Sequence, residues 1–166
     1  MAHLDPEARS FLSCRRLAVV GVSRDPRSFS RAMFAELRRR GYEAVPVNPI
    51  AAGDVEGVSF VRRVTDISPP PEGALLLTPP AITEQVVKDC AAGGIRRVWM
   101  HRGLGTGAAS PAALAYCAEH GIEVVADACP FMFLPRAGFV HRAHGWWRAR
   151  SGRARPAGTG RPAFRP

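Results

Sequence analysis

The sequence predicts an α/β fold: a doubly wound parallel sheet of about five strands with helices on both faces, three layers deep. Three observations predict it. Short apolar runs alternate with amphipathic segments from Arg16 to Val125. The apolar runs are continuous, as in strands covered on both faces of a parallel sheet. Glycine or proline punctuates the joins, at Gly21, Gly41, Pro49, Gly93-Gly94 and Gly121, where helices stop and chains turn.

The elements follow in order. Asp5-Pro6-Glu7 reads as an N-cap, a first-turn proline and a first-turn acid, so a short helix is expected to run to about Ser13. Arg16 to Val20 (RLAVV) is the first strand, ending in Gly21. A polar loop, Val22 to Arg27, leads to Ser28, which can cap a helix carrying Phe29, Met33 and Leu37 at intervals of four. Arg38 to Arg40 suit the C-terminal dipole of that helix, and Gly41 ends it. Tyr42 to Val47 is the second strand. Residues 50–58 are turn-rich and expected as a surface loop. Ala74 to Leu77 is the third strand, broken by Thr78-Pro79-Pro80. Ile82, Val86, Val87 and Cys90 mark the next helix. Arg97 to Met100 forms the fourth strand, before the glycine-rich His101 to Gly107. Ser110-Pro111 starts a helix with Leu114, Cys117 and Ala118 inward, and Ile122 to Val125 is the fifth strand. Strand–helix alternation with right-handed crossovers gives a Rossmann-like architecture.

Composition narrows the function classes. The chain has 166 residues, room for one domain, and 46% of them are apolar. No run approaches the roughly 18 apolar residues of a membrane span. The N-terminus lacks the basic and apolar regions of a signal peptide, so a cytoplasmic location is expected. The net charge of +9 is unevenly placed. Residues 1–141 hold 16 Lys+Arg against 14 Asp+Glu, whereas the last 25 residues hold seven arginines and no acid. The basic character therefore belongs to an appendage. The expected organisation is a domain over 1–150 and a Gly/Pro/Arg-rich, disordered tail over 151–166. A nucleic-acid role for the tail is the weaker reading, because basic ends are often inert. Apolar edge strands would support a homodimer.

In a doubly wound sheet, ligands bind beyond the carboxyl ends of the strands, at the switch point. Those ends are Gly21-Val22-Ser23, Asn48-Pro49, Thr78-Pro79-Pro80 and Met100 to Gly103. The first loop runs into a helix N-terminus, which favours phosphate. Ser23 and Ser28 can donate hydroxyl hydrogen bonds, and Arg24, Arg27 and Arg31 can meet phosphate oxygens. The dinucleotide fingerprint needs two further glycines and an acid about 20 residues on. Here one glycine precedes a polar loop and the second strand ends in Asn48, which argues against an NAD ribose contact.

Four segments carry a resemblance: VVGVSRDP, RGYEAVPVNP, RRVWMHRG and GIEVVADACP, in that order. Over roughly Ser13 to Leu134 the chain resembles the small stand-alone CoA-binding proteins, which are similar to the CoA-binding domain of the succinyl-CoA synthetase alpha subunit. PVNP is the most specific element. The resemblance implies coenzyme A or an acyl-CoA as ligand. It implies that Gly21, Ser23, Ser28 and Phe29 line the phosphate and pantetheine end. Val47, Asn48 and Pro49 would flank the nucleotide, and Thr78 and Pro79 would close one wall. His101 and Gly103 would stand at the fourth strand end, although the family commonly has Gln in place of His101. The synthetase's phosphohistidine lies in a second domain that these residues do not match. A non-catalytic binding module is therefore the expectation.

The alternative is an enzyme with metal- or Cys/His-dependent chemistry on a CoA or nucleotide ligand, or an NAD-type binder. Cys129, His141 and His144 are the weak metal candidates, since two histidines at i and i+3 with a cysteine can hold zinc. Packing explains them more economically: Cys129 precedes a proline and an apolar segment, and the histidines sit beside Trp146-Trp147. Cys14, Cys90, Cys117 and Cys129 form no C-x-x-C pair, and Cys90 and Cys117 fall on inward helix faces.

Overall fold

The structure, a computed structural model, describes residues 5–102 and 107–133. The expected 150/151 boundary, the arginine-rich tail, Gly103, His141 and His144 lie outside the described residues. Along the chain come α1 (Pro6–Leu12), β1 (Arg16–Val20), α2 (Phe29–Arg39), β2 (Glu43–Val47), β3 (Asp54–Val55) and β4 (Val58–Ser59). A 3-10 turn (Val64–Asp66) precedes β5 (Gly73–Leu76), α3 (Pro80–Ala92), β6 (Arg97–His101), α4 (Pro111–Glu119) and β7 (Glu123–Ala128), and a second 3-10 turn covers Pro130–Met132.

Five strands form one parallel sheet in the order β2-β1-β5-β6-β7. The chain winds outward from β1 to β2, then returns past β1 to β5 and winds the other way. The two directions part between β1 and β5, and that is the switch point of the fold.

Side chains alternate across the sheet and bury both faces. Ala18, Val20, Ala74, Leu76, Val98 and Met100 share a core with Val86, Val87 and Cys90 of α3 and Ala113 and Cys117 of α4. The opposite parity, Leu17, Val19, Leu75 and Trp99, is buried as completely, as are Phe11 of α1 and Met33, Phe34 and Leu37 of α2. Phe11 meets Trp99 edge-on with ring centres 5.3 Å apart. The Trp99 indole N–H donates to the Ala128 carbonyl at 2.8 Å, so this large ring buries its polar atom satisfied. The three-layer expectation is thus met.

Several local expectations need correction. Residues 50–58 are not all loop. Asp54–Val55 and Val58–Ser59 pair as a small antiparallel hairpin. Its turn holds Glu56 at φ +50° and Gly57 at φ +72°, the two positive values that a tight hairpin connection needs. Leu114 and Ala118 face outward, and Ala113 and Cys117 carry the inner stripe of α4. Alanine and cysteine are small enough to let that short helix lie close to the sheet. Ile82 is 53% exposed, whereas Thr83 is fully buried, because the inner face of α3 runs through Thr83, Val86, Val87 and Cys90. Asp5 makes no side-chain cap. Ser28 and Ser110 do, accepting from the Arg31 and Ala113 N–H groups at 3.3 and 3.1 Å. The last strand runs on to Ala128, past the expected Val125, with a register shift opposite His101.

Candidate functional site

The site begins where β1 ends. Gly21 turns the chain with φ +93°, and an added Cβ there would lie 3.0 Å from the Leu77 carbonyl oxygen. Only glycine meets both demands, positive φ and close backbone approach. The Gly21 N–H donates to the Val47 carbonyl and the Leu77 N–H donates to the Val20 carbonyl, both at 2.9 Å, so the turn is tied to both neighbouring strand ends.

The loop that follows is held by its own polar groups. The Ser23 N–H donates to Ser30 Oγ at 2.9 Å, and the Asp25 N–H donates to Ser23 Oγ at 3.0 Å. The Arg27 N–H donates to Asp25 Oδ1 at 2.9 Å. Ser28 and Ser30 hydroxyls stand 3.3 Å apart. From the next strand end, Asn48 Nδ2 donates to the Val22 carbonyl at 2.9 Å, and Asn48 Oδ1 accepts from the Ile50 N–H at 3.1 Å. Asn48 therefore braces one strand-end loop against the other. Ser23 keeps its hydroxyl proton, which has no acceptor among the described residues.

On the β5 side, Thr78 Oγ1 lies 2.7 Å from Thr83 Oγ1, and the Thr83 hydroxyl donates to the Pro79 carbonyl at 3.2 Å. Each hydroxyl has one proton. With that of Thr83 on Pro79, Thr78 donates to Thr83 and presents only lone pairs elsewhere.

These strand ends frame two adjoining hollows. A deep cleft of about 660 Å³ lies between the β1, β2 and β5 ends and the first turns of α3, with Gly21, Val47, Asn48, Pro49, Thr78 and Pro79 in its walls. Its volume is typical of small-molecule sites, which span roughly 300–1,000 Å³. Ile50, 89% exposed, and Ile82 stand on it as uncovered apolar groups. A shallower hollow of about 340 Å³ lies over the β1–α2 loop and is bordered by Ser23, Arg24 and Asp25. Gly21, Asn48 and Ile50 border both.

Three of the expected site residues, Ser28, Phe29 and His101, stand apart from the hollows. Phe29 and His101 pack ring against ring, with centres 4.8 Å apart, and Phe131 meets Phe29 edge-on at 6.4 Å. His101 is buried at the end of β6. Ser28 caps α2 and lines neither hollow. Of the twelve residues read as a ligand site, Gly21, Ser23, Arg24, Val47, Asn48, Pro49, Thr78 and Pro79 come together around the hollows, and Gly103 lies outside the described residues.

His101 pairs with Ala128 across β6 and β7, which sets the Cys129 backbone beside that strand end. Burial pushes the Cys129 thiol up, partly offset by the Phe131 and Met132 N–H groups, so the thiolate is disfavoured. No group of three His, Cys, Asp or Glu among the described residues is placed to hold a metal. None of the described helices is long and apolar enough to cross a membrane.

Other residues of the cleft escape sequence reasoning. Arg62, Arg63, Gln85 and Asp89 line it. Arg63 grips Asp89 with two bonds, at 2.8 and 3.3 Å, and Gln85 adds a third at 3.1 Å. Arg62-Arg63 belongs to no motif, and only the tertiary fold brings it to the strand ends. Ser30 had one available signal, its spacing of two from Ser28.

A parallel sheet with a glycine turn and a cleft at its switch point defines a Rossmann-like α/β protein. Within that class the chain belongs to the CoA-binding domain family, whose model matches residues 15–135. Over 89 residues it is 28% identical to the alpha subunit of an ADP-forming acetate–CoA ligase II from Pyrococcus furiosus, a match covering 53% of this chain and 19% of that subunit. The chain thus spans about a fifth of that relative's length. A solved structure from Thermus thermophilus is 30% identical, with a TM-score of 0.66, covering 74% of this chain and 90% of that one. A hypothetical protein from Pyrococcus horikoshii is 25% identical, with a TM-score of 0.68 over 75% and 84% of the two chains.

Proposed function

We propose that this chain binds coenzyme A or an acyl-CoA across the two hollows, as a binding module with no chemistry of its own. The observation that carries the proposal is the pairing of an apolar cleft with a polar loop hollow around one glycine turn at the switch point. CoA has the matching make-up: a flat apolar-faced base, a diphosphate and an extended pantetheine arm.

The residues fit such a ligand. Val47, Pro49, Pro79 and Val86 offer apolar walls to the adenine. The free Ser23 hydroxyl proton and the Arg24 guanidinium suit diphosphate oxygens. Gly21 leaves the turn without a side chain where the hollows meet. Asn48 occupies the place where an NAD binder carries an acid for the ribose, and its bond to the Val22 carbonyl requires an amide donor. This observation favours CoA over a dinucleotide.

Isothermal titration of the purified chain against CoA, acetyl-CoA and NAD tests the reading. Micromolar binding of CoA or acetyl-CoA, with NAD at least tenfold weaker, is expected. No heat and no thermal shift at millimolar CoA would overturn it. Incubation with acetyl-CoA, followed by mass spectrometry of thioester and protein, tests the module reading. Both are expected unchanged, and hydrolysis or protein acylation would make the chain an enzyme.

A further inference from the structure

We propose that Arg62 reads the 3′-phosphate of the CoA ribose, so that the chain selects 3′-phosphorylated CoA over its dephospho form. The inference rests on the CoA reading above and adds a specificity determinant to it.

The charge pattern of the deep cleft leads to Arg62. Its charged lining residues are Arg62, Arg63 and Asp89. Arg63 and Asp89 neutralise one another through their two-pronged pair. Arg62 is exposed and has no hydrogen-bond or ion-pair partner among the described residues. Among the described residues the cleft therefore carries one uncompensated positive charge on mainly apolar walls, which suits the part of a ligand that joins an apolar-faced base to one anionic group.

The backbone holds Arg62 in place. Val61 forms a parallel bridge with Val47. Its N–H donates to the Pro46 carbonyl, and its carbonyl accepts from the Asn48 N–H, both at 2.9 Å. On the other side, the Arg63 N–H donates to Asp66 Oδ2 at 3.2 Å. The guanidinium thus swings from a fixed point beside the Asn48 strand end. Its own side chain stays free to meet a ligand.

CoA carries phosphate in two places, the diphosphate and the ribose 3′ position. The shallow hollow has Ser23 and Arg24 for the first, with Asp25 as a carboxylate on the same rim. A base seated in the deep cleft puts the ribose near the ridge of Gly21, Asn48 and Ile50 that both hollows share. We place the 3′-phosphate on the deep-cleft side, where Arg62 is the lining cation without a partner among the described residues.

Titrations of CoA and 3′-dephospho-CoA into the wild-type chain and Arg62→Ala test this assignment. The wild type is expected to prefer CoA by about tenfold, equivalent to about 1.4 kcal/mol. That preference should shrink with added salt, because the pair is exposed. Arg62→Ala is expected to bind both ligands alike, near the wild-type affinity for dephospho-CoA. Equal affinities in the wild type, or a preference that survives in Arg62→Ala, would overturn the assignment. So would an equal loss of both ligands in the variant, which would move Arg62 to a part of CoA that they share. Wild-type binding of dephospho-CoA separates the two proposals. If it binds without a preference for CoA, the CoA site stands and the Arg62 assignment fails. If neither ligand binds, the CoA site itself fails.

Discussion

Asn48 donates from its side-chain amide to the Val22 carbonyl at 2.9 Å, joining the end of one strand to the loop leaving its neighbour. Its other amide atom accepts from the Ile50 N–H. One side chain thus sets the shape of the ridge between the two hollows. Asn48→Ala is expected to lower stability by about 1–2 kcal/mol, the usual worth of two partly buried hydrogen bonds, and to weaken CoA binding. Asn48→Asp should cost more, since a carboxylate facing a carbonyl oxygen replaces a donor with a repulsion. Urea denaturation of the three chains gives the ranking, and Asp equal to or more stable than Ala would contradict the bracing role.

Gly21→Ala brings a Cβ to 3.0 Å from the Leu77 carbonyl oxygen at φ +93°. Strain of this kind costs about 1–3 kcal/mol. The expected outcome is a lower thermal midpoint and loss of CoA binding, because β1 and β5 part where the cleft opens. A variant with wild-type stability would show that the turn can relax at no cost.

Thr83 is fully buried and accepts from Thr78 while it donates to the Pro79 carbonyl. Thr83→Val keeps the shape and removes the hydroxyl. It leaves the Thr78 proton without its acceptor, at a cost of about 1–3 kcal/mol. Thr83→Ser should recover most of that loss, and the comparison is read from chemical denaturation midpoints.

Alkaline pH should destabilise the fold through its buried thiols. Burial lifts Cys90 from 9.0 to about 12, with Cys117 and then Asp89 adding to the effect. Burial lifts Cys117 from 9.0 to about 11. In the unfolded chain both ionise near 9.0, so above that pH the folded state holds more protons. The stability these thiols contribute is intact below about pH 9 and is lost as pH climbs through the folded values. Cys14 and Tyr42 are raised by burial too and act in the same direction. Thermal midpoints at neutral pH and at about pH 10.5 should fall steeply in the wild type and less steeply in Cys90→Ala. Equal slopes would show that Cys90 does not contribute.

Much of the scaffold was legible in the residues. RLAVV became β1 with the expected bounds. Serines 28 and 110 capped their helices, and Gly21 was identified as the turn at the strand end. These features depend on near neighbours, which sequence spacing records. The inward face of α4 was misjudged because Leu114 is more apolar than Ala113, while close packing favours the smaller residue. The hairpin over 54–59 was missed because two-residue strands leave almost no periodic signal.

The order of burial along the chain, the parallel sheet and the polar loop after Gly21 were already contained in the amino-acid sequence, because each needs only a local pattern of apolar and turn residues. The return of the chain past β1 to β5 placed the cleft. It also carried Arg62 to the side of Asn48, paired Arg63 with Asp89, and stacked Phe29 on His101 away from the hollows. Those partners lie 14, 26 and 72 positions apart. No local pattern encodes such encounters. They come from closing long loops when both faces of one sheet are buried at once.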